Sequence, residues 1–267
     1  MFTRKDLSIK AANGMTVEFF TLNKSTAETL LSMVDEKRQR KKSQVVIQKY
    51  SRDIEKNMWD DGVCIFIVDE HGRLIDGQHR CEAIAKTNGV IENAILITKA
   101  PEKAIHHIDR IFSRSIRNIM QINGASNAAQ RAAEIAKLRL NLDGIVSPSD
   151  SEIMQLVESR PEYSLVCELF FTAPIRGITI VPFKLATAEM YIRDEEKTGE
   201  FVEKVKTGAY CEPGDPALAL RNLLLTDQRS ASSHIRKACY SKCVKAMDAY
   251  LHGIKVAKLY ATGKWHD

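Results

Sequence analysis

The apolar positions of this chain change period near its middle: up to Asn123 they mix two-residue alternation with helical spacing, and from Gly124 onward helical spacing dominates. Met15 to Phe20 alternates as a strand at a sheet edge does. Ser25-Thr26-Ala27-Glu28 has the spacing of a capping box and opens a helix with Leu30, Leu31 and Val34 on one face. Val45, Val46, Ile47, Tyr50 and Ile54 recur at helical spacing up to Met58 and Trp59, and the rings of Tyr50 and Trp59 read as core or pocket wall. Val63 to Val68 is an apolar β-branched run, Asp69-Glu70-His71-Gly72 suits a tight turn, and Leu74 and Ile75 return as a second strand. Beyond Gly77, the pattern of Cys81, Ala83, Ile84 and Ala85 against Glu82 and Lys86 predicts a short helix with Asn88-Gly89 as its left-handed stop. Ala94 to Thr98 predicts another strand, and Pro101 begins a helix containing His106, His107, Asp109 and Arg110.

In the second half, Asn127 to Leu142, Glu152 to Arg160, Pro161 to Phe171, Phe201 to Lys206, Ala217 to Leu225 and Ser233 to Leu251 read as helices. Ser147-Pro148-Ser149-Asp150 is a loop and cap. Ile178 to Val181 reads either as a strand or as the approach to a helix holding Leu185, Ala188 and Tyr191. These patterns predict an α+β chain, with a sheet-containing domain over 1–123 and an all-helical domain over 124–267.

Composition narrows the class. With 267 residues, 44% hydrophobic and 27% charged, the chain can bury one large or two modest cores. No run approaches the roughly 18 apolar residues of a membrane span, and Met1 to Lys5 is not followed by a signal-peptide core, so a cytoplasmic, membrane-free protein is expected. The six cysteines are scattered without paired CxxC spacing, which argues against disulfides and a zinc site. Adjacent histidines such as His106 and His107 point about 100° apart on a helix and make a poor joint metal site.

The chemistry concentrates where a predicted strand hands over to a predicted helix, at Asp76-Gly77-Gln78-His79-Arg80. A helix N-terminus leaves about four backbone N–H groups unpaired and carries roughly half a positive charge, so it attracts anions. Gly77 has no Cβ and lets a ligand approach the backbone. Arg80 offers a planar fork for phosphate oxygens, and His79 can donate from either ring nitrogen. Asp76 is acceptor-only when ionised and suits a hydroxyl, a water or magnesium. Together these residues predict a phosphate cradle with a carboxylate beside it.

Those five residues resemble the DGQHR motif of proteins related to the ParB and sulfiredoxin fold, a small mixed-sheet α/β nucleotide-binding unit. Tyr50-Ser51-Arg52-Asp53-Ile54 with Trp59 upstream, and Ile108-Asp109 with Ser113-Arg114-Ser115 downstream, are similar to landmarks of phage and bacterial DGQHR-domain proteins. The resemblance covers roughly Lys37 to Asn127. It implies a ParB/sulfiredoxin-like domain in front of the helical one, in a bacterial or phage-infected cell. Sulfiredoxin places a catalytic cysteine where this chain has Gln78, so sulfinic-acid reduction is not expected. Gly77, His79 and Arg80 match residues that hold ATP phosphates there, and Gln78 is carried into the same ligand set. ParB proteins bind CTP through a glycine followed by Glu-Arg-Arg, where Gln78 and His79 stand here. The implied ligand is therefore a nucleoside triphosphate, ATP or CTP, with Mg²⁺ at Asp76, and the implied catalytic pair is Asp76 and His79.

Basic residues add a second expectation. Lys37, Arg38, Arg40, Lys41 and Lys42 form a run that reads either as a solvated helix end or as a contact for a nucleic-acid backbone. Arg110, Arg114 and Arg117 share a face if their helix continues; the resemblance makes this a pocket wall with Arg114 on the nucleotide, and the other reading is an exposed salt-bridged helix. Ser232 to Lys237 also has the character of the basic start of a recognition helix, beside the reading of an ordinary helix start. Residues 1–125 carry 20 Lys and Arg against 16 Asp and Glu, and 126–267 carry 19 against 18. A pI near 8.8 permits DNA binding without demanding it.

The expected function is nucleotide binding in DNA transactions of a phage or mobile element, with NTP hydrolysis or phosphoryl transfer as the candidate chemistry. The alternatives are a non-enzymatic DNA-binding regulator, a ParB-like kinase of a small molecule or nucleotide, and, weakest, a nuclease, because no multi-carboxylate cluster stands out. Homodimerisation is left open.

Overall fold

The computed structural model describes residues 9–10, 14–36, 42–59, 64–106, 115–122, 124–226 and 233–259. The chain is α+β and divides into two compact units, 1–113 and 114–267.

The first unit holds a five-stranded sheet in the order β1-β2-β5-β3-β4, made of Ile9–Lys10, Thr16–Leu22, Ile91–Ala100, Ile65–Asp69 and Leu74–Asp76 respectively. Only β3 and β5 are parallel, because β4 and helix α3 (Gln78–Thr87) intervene and supply the crossover that a parallel pair needs. Helices α1 (Lys24–Ser32), α2 (Gln44–Glu55) and α3 complete the unit. Leu22, Ala27, Leu30, Phe66, Leu74, Cys81, Ile84 and Ile91 form its buried core, with Ile54 and Trp59 packed against it. Trp59 meets Tyr50 edge-on at 5.0 Å.

The expected β3–β4 hairpin is present, and its turn is fixed by one carboxylate. Asp69 Oδ1 accepts the His71 and Arg73 N–H groups at 2.9 and 2.8 Å, and Oδ2 accepts Arg73 Nε at 2.8 Å. Arg73 also reaches Glu102 at 3.0 Å. Burial alone would raise the Asp69 carboxyl, but the Arg73 hydrogen bonds outweigh it and hold the group below the ordinary carboxylate value. At the other end of α3 the left-handed residue is Asn88 (φ 54°), and Gly89 is required for space, since a Cβ there would lie 2.3 Å from Ile54 Cγ2.

Several expectations are corrected. Strand β2 is not the edge of the sheet: it pairs along its length with β5 and is covered on its other side by two-residue β1. The α1 capping box is Asn23 with Thr26, two residues before the predicted one, because Asn23 accepts the Thr26 N–H and the Thr26 hydroxyl accepts the Asn23 N–H. Helix α1 ends at Ser32, so the basic run is not its last turn. After Pro101 the described backbone is a 3₁₀ turn, Glu102–His106, not an α-helix.

The second unit is all-helical: α4 (Ile116–Ile122), α5 (Asn127–Leu142), α6 (Asp150–Ser159), α7 (Pro161–Leu169), α8 (Val181–Tyr191), α9 (Glu195–Thr207), α10 (Pro216–Thr226) and α11 (Ser233–Leu251). It takes in α4, whose Met120 joins its core. Helix α5 packs against α4, α6, α7 and α8, and α8 packs in turn against α9 and α11. Its alanines Ala132, Ala133 and Ala136 are buried, which lets these helices approach closely. Ile178 to Val181 is the approach to α8, with Ile180 as N-cap, and not a strand. Arg131 reaches the Cys167 and Thr172 carbonyls at 3.3 Å and satisfies the end of α7. Among the described residues no helix is long and apolar enough to cross a membrane.

Candidate functional site

Strand β4 ends at Asp76 and α3 begins at Gln78, so the motif sits at a strand-to-helix junction. Gly77 is the N-cap, in a left-handed conformation with φ 107°. A Cβ on it would lie 2.2 Å from Phe66 Cδ1. The space expected for a ligand is therefore filled by the fully buried Phe66 ring, and the chain's own packing demands the glycine. That ring also meets Phe20 edge-on at 5.7 Å and lies 5.2 Å from the Arg80 guanidinium carbon, a cation–π contact.

The carboxylate of Asp76 stands at the helix start. Its Oδ1 accepts the Gly77 N–H at 2.7 Å and its Oδ2 accepts Arg80 Nη2 at 2.8 Å. It thus holds one backbone donor and the guanidinium that a phosphate would use. Both side chains are partly exposed, 25% for Asp76 and 20% for Arg80, so the pair is open to exchange with solvent species.

His79 faces the start of a second helix. The backbone N–H of Ser43, the N-cap of α2, donates to His79 Nε2 at 3.0 Å, and a neutral His79 then carries its proton on Nδ1. Lys42 Nζ lies 2.6 Å from Glu82 Oε1, and Lys86 Nζ donates to Gln44 Oε1 at 3.2 Å. These contacts set the N-terminus of α2, with its partial positive charge, against the face of α3 that carries His79, Glu82 and Lys86. Gln78 is 6% exposed, and among the described residues its Oε1 has no hydrogen-bond partner. Cys81, one turn into α3, is buried; burial pushes its thiol up to about 12, with Arg80 pulling the other way, so it is protonated near neutral pH.

The structure thus gathers Asp76, Gly77, Gln78, His79, Arg80 and Lys42. Lys37, Arg38, Arg40, Lys41 and Arg114 lie outside the described residues. Arg117 is on α4, 3.8 Å from Glu134 of the second unit. Sequence reasoning missed Ser43 and Phe66. Ser43 was legible as a residue that caps helices, but nothing in the sequence placed it beside His79; Phe66 was legible only as an apolar strand position. The described residues of the second unit line a cavity of about 260 Å³ between Lys204, Asp215, Tyr250 and Lys255, which contains no motif residue.

Among the described residues no three His, Cys, Asp or Glu side chains come together as metal ligands. Magnesium often takes one or two carboxylates and completes its shell with substrate phosphates and water. Asp76 fits that limited role, provided Arg80 yields Oδ2. Comparison with protein-family models, with curated proteins and with solved structures finds no match.

Proposed function

We propose that the first unit binds the phosphates of a nucleoside triphosphate at the β4–α3 junction, in the service of a DNA transaction. The observation that carries this reading is the hydrogen bond from Ser43 N–H to His79, which sets the start of α2 against the first turn of α3, the turn that also carries Arg80. In it, Arg80 grips phosphate oxygens, the Gly77 N–H contributes a donor, and His79 stands between the two helix starts. Asp76 gives up Arg80 and turns its carboxylate to Mg²⁺ or to an attacking hydroxyl. Bound magnesium would supply charge neutralisation on the phosphates. ATP or CTP as the ligand, and a phage or mobile element as the setting, rest on the DGQHR resemblance.

The test is isothermal titration of the protein with ATP, CTP, GTP and UTP in magnesium, beside the Arg80→Ala variant. Selective binding that the variant loses is the expected result. Binding that survives the substitution, or no binding of any nucleotide, removes the reading. One observation favours a second reading, a DNA-binding regulator without turnover. Asp76, Gly77 and Arg80 already satisfy one another and Phe66, so the motif can serve structure alone. Salt-dependent duplex binding with no nucleotide bound and no product formed would favour that reading.

A further inference from the structure

The positive charge of the second unit is segregated. Residues 114–232 carry 14 Lys and Arg against 16 Asp and Glu, whereas 233–267 carry seven against two. Four of those seven cations, Arg236, Lys237, Lys242 and Lys245, lie on α11, where Asp248 is the single acid.

The helix sorts them by face. Cys239, Tyr240, Cys243, Ala246 and Met247 are buried in the core of the unit. At 100° per residue Lys237, Ser241 and Lys245 fall on the opposite side, with His234 in line before them and Lys242 next to them. Lys237 and Lys245 are about 12 Å apart along the axis, on the rise of 1.5 Å per residue. Arg236, Lys237 and Lys245 form no ion pair among the described residues, and Asp248 is engaged by Arg193. Elsewhere in the unit several cations are neutralised: Arg139 by Asp143 and Glu189, Arg160 by Glu162, Lys204 by Asp215.

We infer that the outer face of α11 is a contact surface for the phosphate backbone of duplex DNA. Lys237 and Lys245, without an ion pair among the described residues and about two turns apart, complement phosphates along one backbone, and releasing the condensed counterions supplies the driving force. A bilayer fits this face poorly, because a membrane-surface helix must bury apolar residues in lipid and those of α11 are already inside the bundle. The contact is to phosphates, which lysines meet as point charges on flexible stems, and phosphate contacts carry no sequence information by themselves.

The experiment is binding of the full chain to a random-sequence 20-base-pair duplex over a series of salt concentrations, with Lys237→Gln/Lys245→Gln and Arg80→Ala beside the wild type. Both glutamines replace partly or fully exposed side chains, and circular dichroism checks that the fold is kept. Each phosphate contact contributes about 0.9 to the slope of log K against log salt. The double variant should flatten that slope by about 2 and weaken binding at low salt, while Arg80→Ala leaves the slope unchanged. An unchanged slope in the double variant, no duplex binding by the wild type at low salt, or binding to phosphatidylserine vesicles in place of DNA would each overturn the inference.

Discussion

Asp76, the last residue of β4, and Arg80, in the first turn of α3, meet at 2.8 Å, and the same carboxylate takes the Gly77 N–H. An anion arriving at this helix start competes with a carboxylate already there. Asp76→Asn keeps an oxygen for the Gly77 N–H and removes the competitor's charge. A partly exposed pair of this kind is worth up to about 1 kcal/mol, so inorganic phosphate without magnesium should bind the variant up to about fivefold more tightly. Arg80→Ala should lose that binding. Weaker phosphate binding by Asp76→Asn would show that Asp76 assists anions instead of excluding them.

Gly77 is held by two separate constraints, its left-handed backbone and the Phe66 ring. Gly77→Ala should cost about 2–4 kcal/mol, combining strained dihedrals with overpacking. In a Phe66→Ala background the ring is gone and only the dihedral part, about 1 kcal/mol, should remain. Urea unfolding of the four proteins gives the coupling. Simple additivity would mean that the ring moves aside at no cost and that the glycine is not there for packing.

Much of this architecture could be read from the chain because its signals are local. Asn127–Leu142 and Ser233–Leu251 carry the periodicity that a helix needs whatever its surroundings, the first also its Ser126 cap, and both are present at the predicted residues. The Asp69–Gly72 turn carries its own carboxylate and glycine. What was not legible depends on partners distant in sequence. Phe66 occupies the space beside Gly77 from eleven positions upstream, and Ser43 meets His79 across thirty-six. The motif therefore announced donors and a carboxylate but not that they would engage each other. The place of β2 in the sheet failed for the same reason: alternation records that a strand has two unlike faces and says nothing of which strands flank it.

Asp69 should govern how the hairpin that delivers the motif responds to acid. Its carboxyl is held below 3.8 in the folded chain, so its stabilisation is present above that value and is lost as pH falls through the lower folded value. Asp69→Asn loses the charge-assisted bonds to Arg73 and the turn, a cost of about 1.5–3 kcal/mol at pH 7. Urea midpoints of wild type and variant should converge as pH drops below 3.8. A gap that stays constant to pH 2 would show that the oxygen matters and the charge does not.

Cys81 supplies the opposite dependence at alkaline pH. Buried against Leu74 and Ile84 in the first unit's core, its thiol is pushed from 9.0 up to about 12 by desolvation, so the folded chain keeps it protonated where the unfolded chain ionises it. The unfolded state therefore gains from each rise in pH between about 9 and 12, at about 1.4 kcal/mol per unit from this group. Tyr163, raised to about 12 by burial, and Tyr240, raised by burial and its bond to Glu189, act in the same direction in the second unit. Comparison with Cys81→Ala isolates the thiol. The variant starts less stable at pH 8 because it leaves a small cavity, but its stability should fall less steeply above pH 9, and the two curves should approach each other. At pH 8 iodoacetamide should leave Cys81 unmodified in the folded protein and label it once urea unfolds the chain. Rapid labelling under native conditions, or parallel stability curves through pH 11, would place the thiol in contact with water and undo the packing that ties α3 to the sheet.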